Sequence, residues 1–98
     1  MAELRFDWDP DKAGENLRRH RVSFEEAQTA FLDEEALVIG DPDHSESEDR
    51  FILLGLSAGL RVLFVCHCLR EGGSVIRLIS ARRANRHEQE QYRERLRR

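Results

Sequence analysis

Apolar and polar residues alternate at the start of the chain, and the alternation then gives way to helical spacing. Residues 4–8 follow the two-residue period of a strand. Asp9 and Pro10 then make a typical helix start, an N-cap followed by proline in the first turn, and they predict a helix over residues 10–20. A capping-box pattern begins a second helix, predicted over residues 23–33.

Strand-like runs with turn residues between them dominate the rest of the chain. The runs lie at residues 36–39, 50–56, 60–70 and 74–81. An N-cap at Asn85 then begins a last helix, which ends near residue 97. The order β-α-α-β-β-β-β-α predicts one α+β domain over residues 1–98, an antiparallel meander with the two N-terminal helices packed on one face and a C-terminal helix.

Turn lengths decide which side chains of neighbouring strands lie side by side. A two-residue turn at Ala58-Gly59 places Arg50 opposite His67, and a three-residue turn at residues 71–73 places His67 opposite Arg77. These registers predict a row of Arg50, His67 and Arg77 on the open face of the sheet and an almost wholly apolar face for the helices. The open face also carries apolar residues, which the last helix or a partner must cover.

Charge divides the chain into two halves. Residues 1–49 carry five basic and fifteen acidic side chains, whereas residues 50–98 carry eleven arginines and four acids, so the net charge of −3 conceals a dipolar molecule. An arginine-rich half predicts an anion-binding surface, and nucleic acid is the first candidate because arginine forks onto two phosphate oxygens. The alternative is that many of these arginines are solvated helix surface.

Other features of the composition narrow the class of protein. No apolar run is long enough to span a membrane and the first residues lack a signal-peptide core, so a cytoplasmic location is expected. Cys66 and Cys68 share one side of a strand and are predicted to be reduced, buried thiols. A zinc site built from these cysteines with His44 and His67 is disfavoured, because neither CxxC nor HxxxH spacing is present. We therefore expect no metal and no cofactor.

Five segments, in order, resemble the BrnT family of type II toxin–antitoxin toxins. They are Phe6-Asp-Trp-Asp-Pro-Asp-Lys-Ala, Asn16-Leu-Arg-Arg-His20, Val22-Ser-Phe-Glu-Glu-Ala, His44-Ser-x-x-Glu48-x-Arg50 and Ile76-Arg-Leu-Ile-Ser-Ala-Arg82. The chain departs from the family pattern at Arg21, where a glycine commonly follows the histidine, and at Asn85, where a threonine is frequent. Neither position belongs to the predicted site.

This resemblance implies a RelE-like fold and a ribonuclease that inhibits translation. It also implies neutralisation by a BrnA-like ribbon-helix-helix antitoxin, with operator DNA bound only indirectly through that antitoxin. A homodimer within the complex stays open. The alternative is a non-catalytic module that uses the arginine-rich sheet face to bind RNA or an acidic antitoxin segment.

Metal-independent RNA cleavage requires a base for the 2′-hydroxyl, cations for the phosphate and an acid for the leaving oxygen. Glu48 or His44 is the candidate base, and His67 the candidate acid. The candidate phosphate ligands are Arg50, Arg77 and Arg82. A purely structural alternative is a surface ion-pair cluster of Glu48, Arg50 and Arg77. Lys12 and His20 are assigned capping, surface or packing roles.

Overall fold

The computed structural model describes residues 4–40 and 50–97. Its elements, in chain order, are β1 (Arg5–Asp7), α1 (Pro10–His20), α2 (Phe24–Thr29), β2 (Leu37–Gly40), β3 (Arg50–Leu56), β4 (Val62–Arg70), β5 (Val75–Arg83) and α3 (Arg86–Leu96). Single 3₁₀ turns follow α2 and β4, at Ala30–Leu32 and Glu71–Gly73. The predicted α+β class and the predicted order of elements are confirmed.

The five strands form one sheet in the order β1-β5-β4-β3-β2. Strands β2 to β5 make the predicted antiparallel meander, whereas β1 joins the far edge and runs parallel to β5. The β1 pairing ends where Asp7 meets Arg77, and within residues 4–40 and 50–97 no strand pairs with this edge of β5 beyond Arg77. Helix α1 lies along this part of the edge, where the Asn16 side chain bonds both backbone groups of Ala81 as a neighbouring strand would.

Local sequence accounts for both ends of α1 and for the start of α2. The Asp9 carboxylate accepts a hydrogen bond from the Asp11 amide at 2.9 Å, and the Ser23 hydroxyl accepts one from the Glu26 amide at 3.0 Å. Arg21 ends α1 with a φ of 59°, a left-handed conformation that glycine adopts more readily. The two helices are therefore joined by a tight connection rather than a linker.

The two faces of the sheet carry different helices. On the first, which we call the α1/α2 face, buried side chains from residues 22–30, which contain α2, pack against the sheet around Leu53, Leu63, Val65 and Leu78. On the second, the α3 face, Ile52, Leu54 and Cys66 are buried and Tyr92 is the buried residue of α3. The last helix thus covers part of the face that the sequence left open.

The predicted registers are wrong for one strand, β4. Arg50 lies opposite Cys68 rather than His67, and Cys68 lies opposite Arg77. Both hairpins are shifted by one residue relative to the prediction. Each side chain of β4 therefore lies on the face opposite to the predicted one, whereas Arg50 of β3 and Arg77 of β5 remain aligned as predicted. His67 therefore belongs to the α1/α2 face, and the predicted row contains Cys68 in its place.

Both errors arise from turns that are one residue longer than predicted. The first hairpin has the three-residue loop Ala58-Gly59-Leu60. Leu60 adopts a φ of 63°, which the sequence does not predict because glycine is the usual residue in this conformation. The second hairpin extends through residue 74, although Gly72 and Gly73 do take positive φ angles as expected. A β-bulge between Cys66 and His67 shifts the pairing again.

Two further expectations concern the cysteines and membrane spans. Cys66 and Cys68 are both buried and neither forms a disulfide, in agreement with the prediction. Among the described residues, none of the helices combines the length and apolar character needed to cross a membrane.

Candidate active site

The centre of the candidate site is a row of three residues on the α3 face. Cys68 is 2% exposed and lies between Arg50 and Arg77, which flank it on the neighbouring strands. Adjacent strands are about 4.8 Å apart, so the two arginine backbones are about 10 Å apart, within the joint reach of their side chains. The two arginines thus flank a buried thiol instead of an imidazole.

These arginines line a concavity that also receives side chains from α1 and from the end of β4. Its lining residues are Asp9, Lys12, Arg50, Arg70, Arg77, Leu78 and Ile79. Four are basic and one is acidic, which makes the concavity a site for an anion. Its volume of about 100 Å³ is far below that of pockets that enclose whole drug-sized ligands. The size therefore suits a phosphate group better than an entire nucleotide.

Lys12 reaches the concavity because of how α1 is docked. Asp9 caps the helix, Pro10 fixes its first turn, and Asn16 bonds the backbone of Ala81 and the Val22 carbonyl at 2.8–3.1 Å. Asn16 is 6% exposed, so these bonds are formed away from water and hold α1 firmly. The first turn of α1 consequently projects Lys12 beside Ile79, the residue that the bulge in β5 leaves without a cross-strand partner on β4.

Arg77 has a carboxylate partner in the adjacent strand. Its Nη1 lies 3.3 Å from Asp7 Oδ1, and the two side chains are 35% and 49% exposed. An ion pair this exposed contributes about 0–1 kcal/mol, so a phosphate can compete with Asp7 for the guanidinium. Asp7 thus marks a position where Arg77 holds an anion.

A second hollow continues the basic concavity along α1. Its lining consists of Lys12, Glu15, Asn16, Arg19 and Ile79. Lys12 and Ile79 belong to both hollows, so the two form one surface. Lys12 and Arg19 are seven residues apart, which is about 10.5 Å along an α-helix. The basic surface therefore extends beyond a single phosphate.

Comparison with known proteins identifies the family. A family profile described as the ribonuclease toxin, BrnT, of a type II toxin–antitoxin system matches residues 8–88, a range that includes every residue of the basic concavity. The chain belongs to the BrnT family. A BrnT-type toxin of a type II system has an antitoxin partner. A search of curated proteins finds no match.

Among solved structures, the chain is similar to the Brucella abortus ribonuclease toxin, BrnT. The two share 21% sequence identity at a TM-score of 0.65, and the match covers 86% of this chain and 100% of the Brucella chain. At this identity the likeness establishes the fold, which agrees with the α+β class expected from the sequence.

His67 does not lie with the arginines in this member of the BrnT family. It is 4% exposed on the α1/α2 face, where its ring makes an edge contact with Phe31 at 4.8 Å and lies 6.0 Å from the Phe51 ring. Nδ1 lies 3.3 Å from the Val65 carbonyl, which only accepts, so Nδ1 carries the proton. Burial lowers the pKa of His67, so the imidazole is neutral at neutral pH.

Arg82 lies on the α3 face but does not line the basic concavity. Its guanidinium bonds both carboxylate oxygens of Glu88 at 2.8 and 3.0 Å and sits 3.9 Å above the centre of the Phe64 ring. Burial would raise the pKa of Glu88, but the hydrogen bonds from Arg82 and from the Asn85 amide lower it overall. Arg82 thus links β5 to the first turn of α3.

Two of the predicted site residues, His44 and Glu48, lie outside the described residues. Within the described ranges, no three His, Cys, Asp or Glu side chains are close enough together to hold a metal ion. Two basic lining residues were not predicted, Arg70 and Lys12. Arg70 has a signal in the sequence, since it lies two residues beyond Cys68 on the same strand, whereas the position of Lys12 depends on how α1 docks against β5.

Proposed function

We propose that this chain is an endoribonuclease that cleaves RNA, without a metal ion, at a phosphate held by Arg50 and Arg77. Inhibition of translation follows from the loss of intact RNA. The observation that carries the proposal is the basic concavity, four cations to one acid, in a member of a family of ribonuclease toxins.

The surroundings of the two arginines favour phosphate binding. Leu78, which is 2% exposed, and Ile79 line the concavity and form its apolar floor. Cation–anion attraction is stronger over such a floor than in open water, because the local dielectric constant is lower. Arginine also stays charged at any physiological pH and contacts two phosphate oxygens at once.

The adjoining hollow supports an extended, single-stranded substrate. A strand that places one phosphate between Arg50 and Arg77 can continue past Lys12 toward Arg19. This path is too shallow to read base edges through a groove, and its basic residues contact the backbone instead. We therefore propose that α1 binds the RNA strand next to the cleaved bond.

The proposed chemistry is an internal transfer within the RNA. The ribose 2′-oxygen forms a bond to the phosphorus as a base removes its proton, and the bond from phosphorus to the 5′-oxygen breaks as that oxygen is protonated. Arg50, Arg77 and Lys12 stabilise the charge that accumulates on the phosphate oxygens. The products are a 2′,3′-cyclic phosphate and a free 5′-hydroxyl.

The base and the acid are assigned only in part. Glu48 or His44 stays the proposed base, and both precede Arg50 in the sequence by a few residues. His67 is not proposed as the acid, because it is buried on the opposite face. For Arg82 we propose a structural role in holding α3 against the sheet, since its guanidinium already donates to both carboxylate oxygens of Glu88. Lys12 becomes a candidate proton donor as well as a phosphate ligand.

For the partner, we propose a BrnA-like ribbon-helix-helix antitoxin that brings operator DNA to the complex without direct contact between DNA and toxin. A homodimer of the toxin within that complex is part of the same proposal. Both reduced thiols and an RNA substrate suit a cytoplasmic location.

The experiment compares RNA cleavage by the purified wild-type toxin with cleavage by three alanine variants. Arg50→Ala, Arg77→Ala and Lys12→Ala are each expected to lower the rate by about 10²-fold or more, the usual cost of removing one charge-stabilising donor. Arg93→Ala is the matched control, because Arg93 pairs with Glu90 on the exposed side of α3. Circular dichroism checks that every variant is folded.

Three other outcomes are informative. Wild-type rates from all three site variants would reject the concavity as the active site. Loss of wild-type cleavage on addition of a chelator would contradict metal independence. If the wild-type protein binds RNA with a steep salt dependence but never cleaves it, the protein is a binding module rather than an enzyme.

A further inference from the structure

A second surface, which is mainly apolar where the concavity is basic, lies on the outside of α2 and the 3₁₀ turn that follows it. Two hollows there share Thr29 and Leu32. The first is lined by Leu4, Phe6, Gln28, Thr29 and Leu32 and has a volume of about 370 Å³. The second is lined by Thr29, Leu32, Asp33, Leu56, Ser57 and Ala58 and has a volume of about 340 Å³. We call the two together the Leu32 groove.

Leu32 stands between the two hollows and is 74% exposed. Leu4 and Leu56, one in each hollow, are 55% and 38% exposed. Single exposed leucines are common on protein surfaces, but three that line one groove form a contiguous apolar patch, which is typical of an interaction surface.

Apart from Gln28, the polar side chains that line this groove are already hydrogen-bonded within the protein. Thr29 Oγ1 donates to the Glu26 carbonyl and accepts from the Ala58 amide, and Ser57 Oγ donates to Glu26 Oε2 at 2.6 Å. Asp33 Oδ2 accepts from the Leu56 amide and from the Tyr92 hydroxyl. An occupant of the groove therefore gains mainly by covering apolar surface.

The charge around the groove indicates the charge of the segment that binds there. Residues 22–40 contain five acids and neither lysine nor arginine, although Glu26 pairs with Arg61 and Arg95 donates to the Glu35 carbonyl. Glu25, one helical turn before Gln28, and Glu34, directly after Asp33, are both exposed. The complementary partner has apolar side chains for the two hollows and Lys or Arg beside them.

We propose that the Leu32 groove binds the antitoxin, through a segment that carries leucine-like side chains flanked by basic residues. A toxin of a type II family has a protein partner. This groove offers such a partner an apolar floor with exposed acidic residues beside it. The side chain of Phe6, which lines the groove, lies on the opposite side of β1 from Asp7, the partner of Arg77. The antitoxin is thus anchored on a surface that is not the catalytic one.

The test measures the affinity of the cognate antitoxin for two toxin variants. Leu32→Gln is expected to weaken binding at least tenfold, because a central residue of an interface carries much of its binding energy. Leu60→Gln is the matched control: Leu60 is even more exposed, at 80%, but lies in the β3–β4 turn and does not line the groove. We expect its affinity to stay within about twofold of wild type.

Overlapping synthetic peptides of the antitoxin then test the chemistry of the occupant. The peptides that bind wild-type toxin but not Leu32→Gln are expected to be apolar and basic. Equal affinity of wild type and Leu32→Gln for the antitoxin overturns the proposal, as does selective binding of acidic peptides. If Leu32→Gln changes only the self-association of the free toxin, measured by sedimentation, a second copy occupies the groove and the proposal is wrong.

Discussion

Asp7 and Arg77 are cross-strand partners on parallel strands β1 and β5, and their side chains form an ion pair of 3.3 Å at the border of the basic concavity. The short β1 strand therefore brings an anion to the guanidinium that we assign to the RNA phosphate. In the proposed RNA complex, the Asp7 carboxylate competes with a phosphate oxygen for this guanidinium. We therefore expect Asp7 to oppose RNA binding.

Replacement of Asp7 by asparagine is expected to tighten RNA binding. The substitution removes a competing negative charge but keeps the size of the side chain. Exposed ion pairs contribute at most about 1 kcal/mol, so the dissociation constant should fall by up to about fivefold. Fluorescence anisotropy with a labelled RNA and a cleavage-deficient Arg50→Ala background, compared with and without Asp7→Asn, measures the change.

The control for this substitution is the second ion pair of β1. Arg5 and Glu71 pair at 3.4 Å, are more exposed at 59% and 66%, and do not line the concavity. Glu71→Gln should therefore leave the RNA affinity unchanged. Equal tightening by Glu71→Gln and Asp7→Asn would mean that net charge, and not the Arg77 partner, controls binding.

A separate prediction concerns the hollow beside α1. Arg19→Ala is expected to raise KM for long RNA while kcat stays the same, because we assign Arg19, which lines this hollow, to the strand away from the cleaved bond. Loss of one phosphate contact should lower the slope of log affinity against log salt by about 0.7, the value for single strands. Arg18→Ala is the control, since Arg18 is exposed on the same helix but does not line the hollow.

The length of the substrate separates a local contact from a general charge effect. A dinucleotide reaches only the first concavity, so Arg19→Ala should cleave it at the wild-type rate. An equal loss on dinucleotide and long RNA would show that Arg19 does not contact an extended strand.

Much of this fold could be predicted from short-range patterns. The N-caps Asp9, Ser23 and Asn85 each accept the expected hydrogen bond, and the helices begin where these residues predict. Capping depends on a few neighbouring residues, so the sequence shows it directly. The parallel pairing of β1 with β5 joins residues about 70 positions apart, and no local pattern announces it.

The candidate site was half predictable for a similar reason. The alignment of Arg50 with Arg77 follows from two hairpins, and equal one-residue errors in both turns cancelled in that alignment. The same errors reversed the faces of β4 and placed His67 on the wrong side. Leu60 at positive φ is the physical cause in the first turn, because the loop length depends on a conformation that a leucine seldom adopts. Lys12 was missed because it comes from a separate element whose docking is tertiary.

The attachment of α3 leads to a prediction about stability. Tyr92 is 6% exposed and its hydroxyl donates to Asp33 Oδ2 at 2.5 Å, while burial, together with the Asp33 carboxylate, raises the pKa of Tyr92. Tyr92→Phe removes a hydrogen bond to a charged, partly buried acceptor and should lower the free energy of unfolding by about 1–3 kcal/mol in urea denaturation. Arg93→Ala, next along α3, should change it by less than about 0.5 kcal/mol.

The buried imidazole of His67 makes stability depend on pH. Its pKa is lowered by burial, so as the pH falls below the unfolded value of about 6.5 the unfolded chain takes up the proton before the folded one does. The stabilising contribution is therefore complete above that pH and is lost as the pH falls toward the folded pKa. The slope from this one group is at most about 1.4 kcal/mol per pH unit.

His67→Phe tests this role of His67 against the catalytic role that the sequence suggested. Phenylalanine keeps the aromatic contacts with Phe31 and Phe51 but cannot bind a proton. Urea denaturation at about pH 7.5 and about pH 5.5 should show a smaller loss of stability for this variant than for wild type, whereas His87→Gln, a change at an exposed histidine of α3, should behave as wild type. Folded His67→Phe should also cleave RNA at the wild-type rate, because the ring lies on the opposite face from Arg50 and Arg77. A folded variant that no longer cleaves RNA would show that His67 takes part in the reaction.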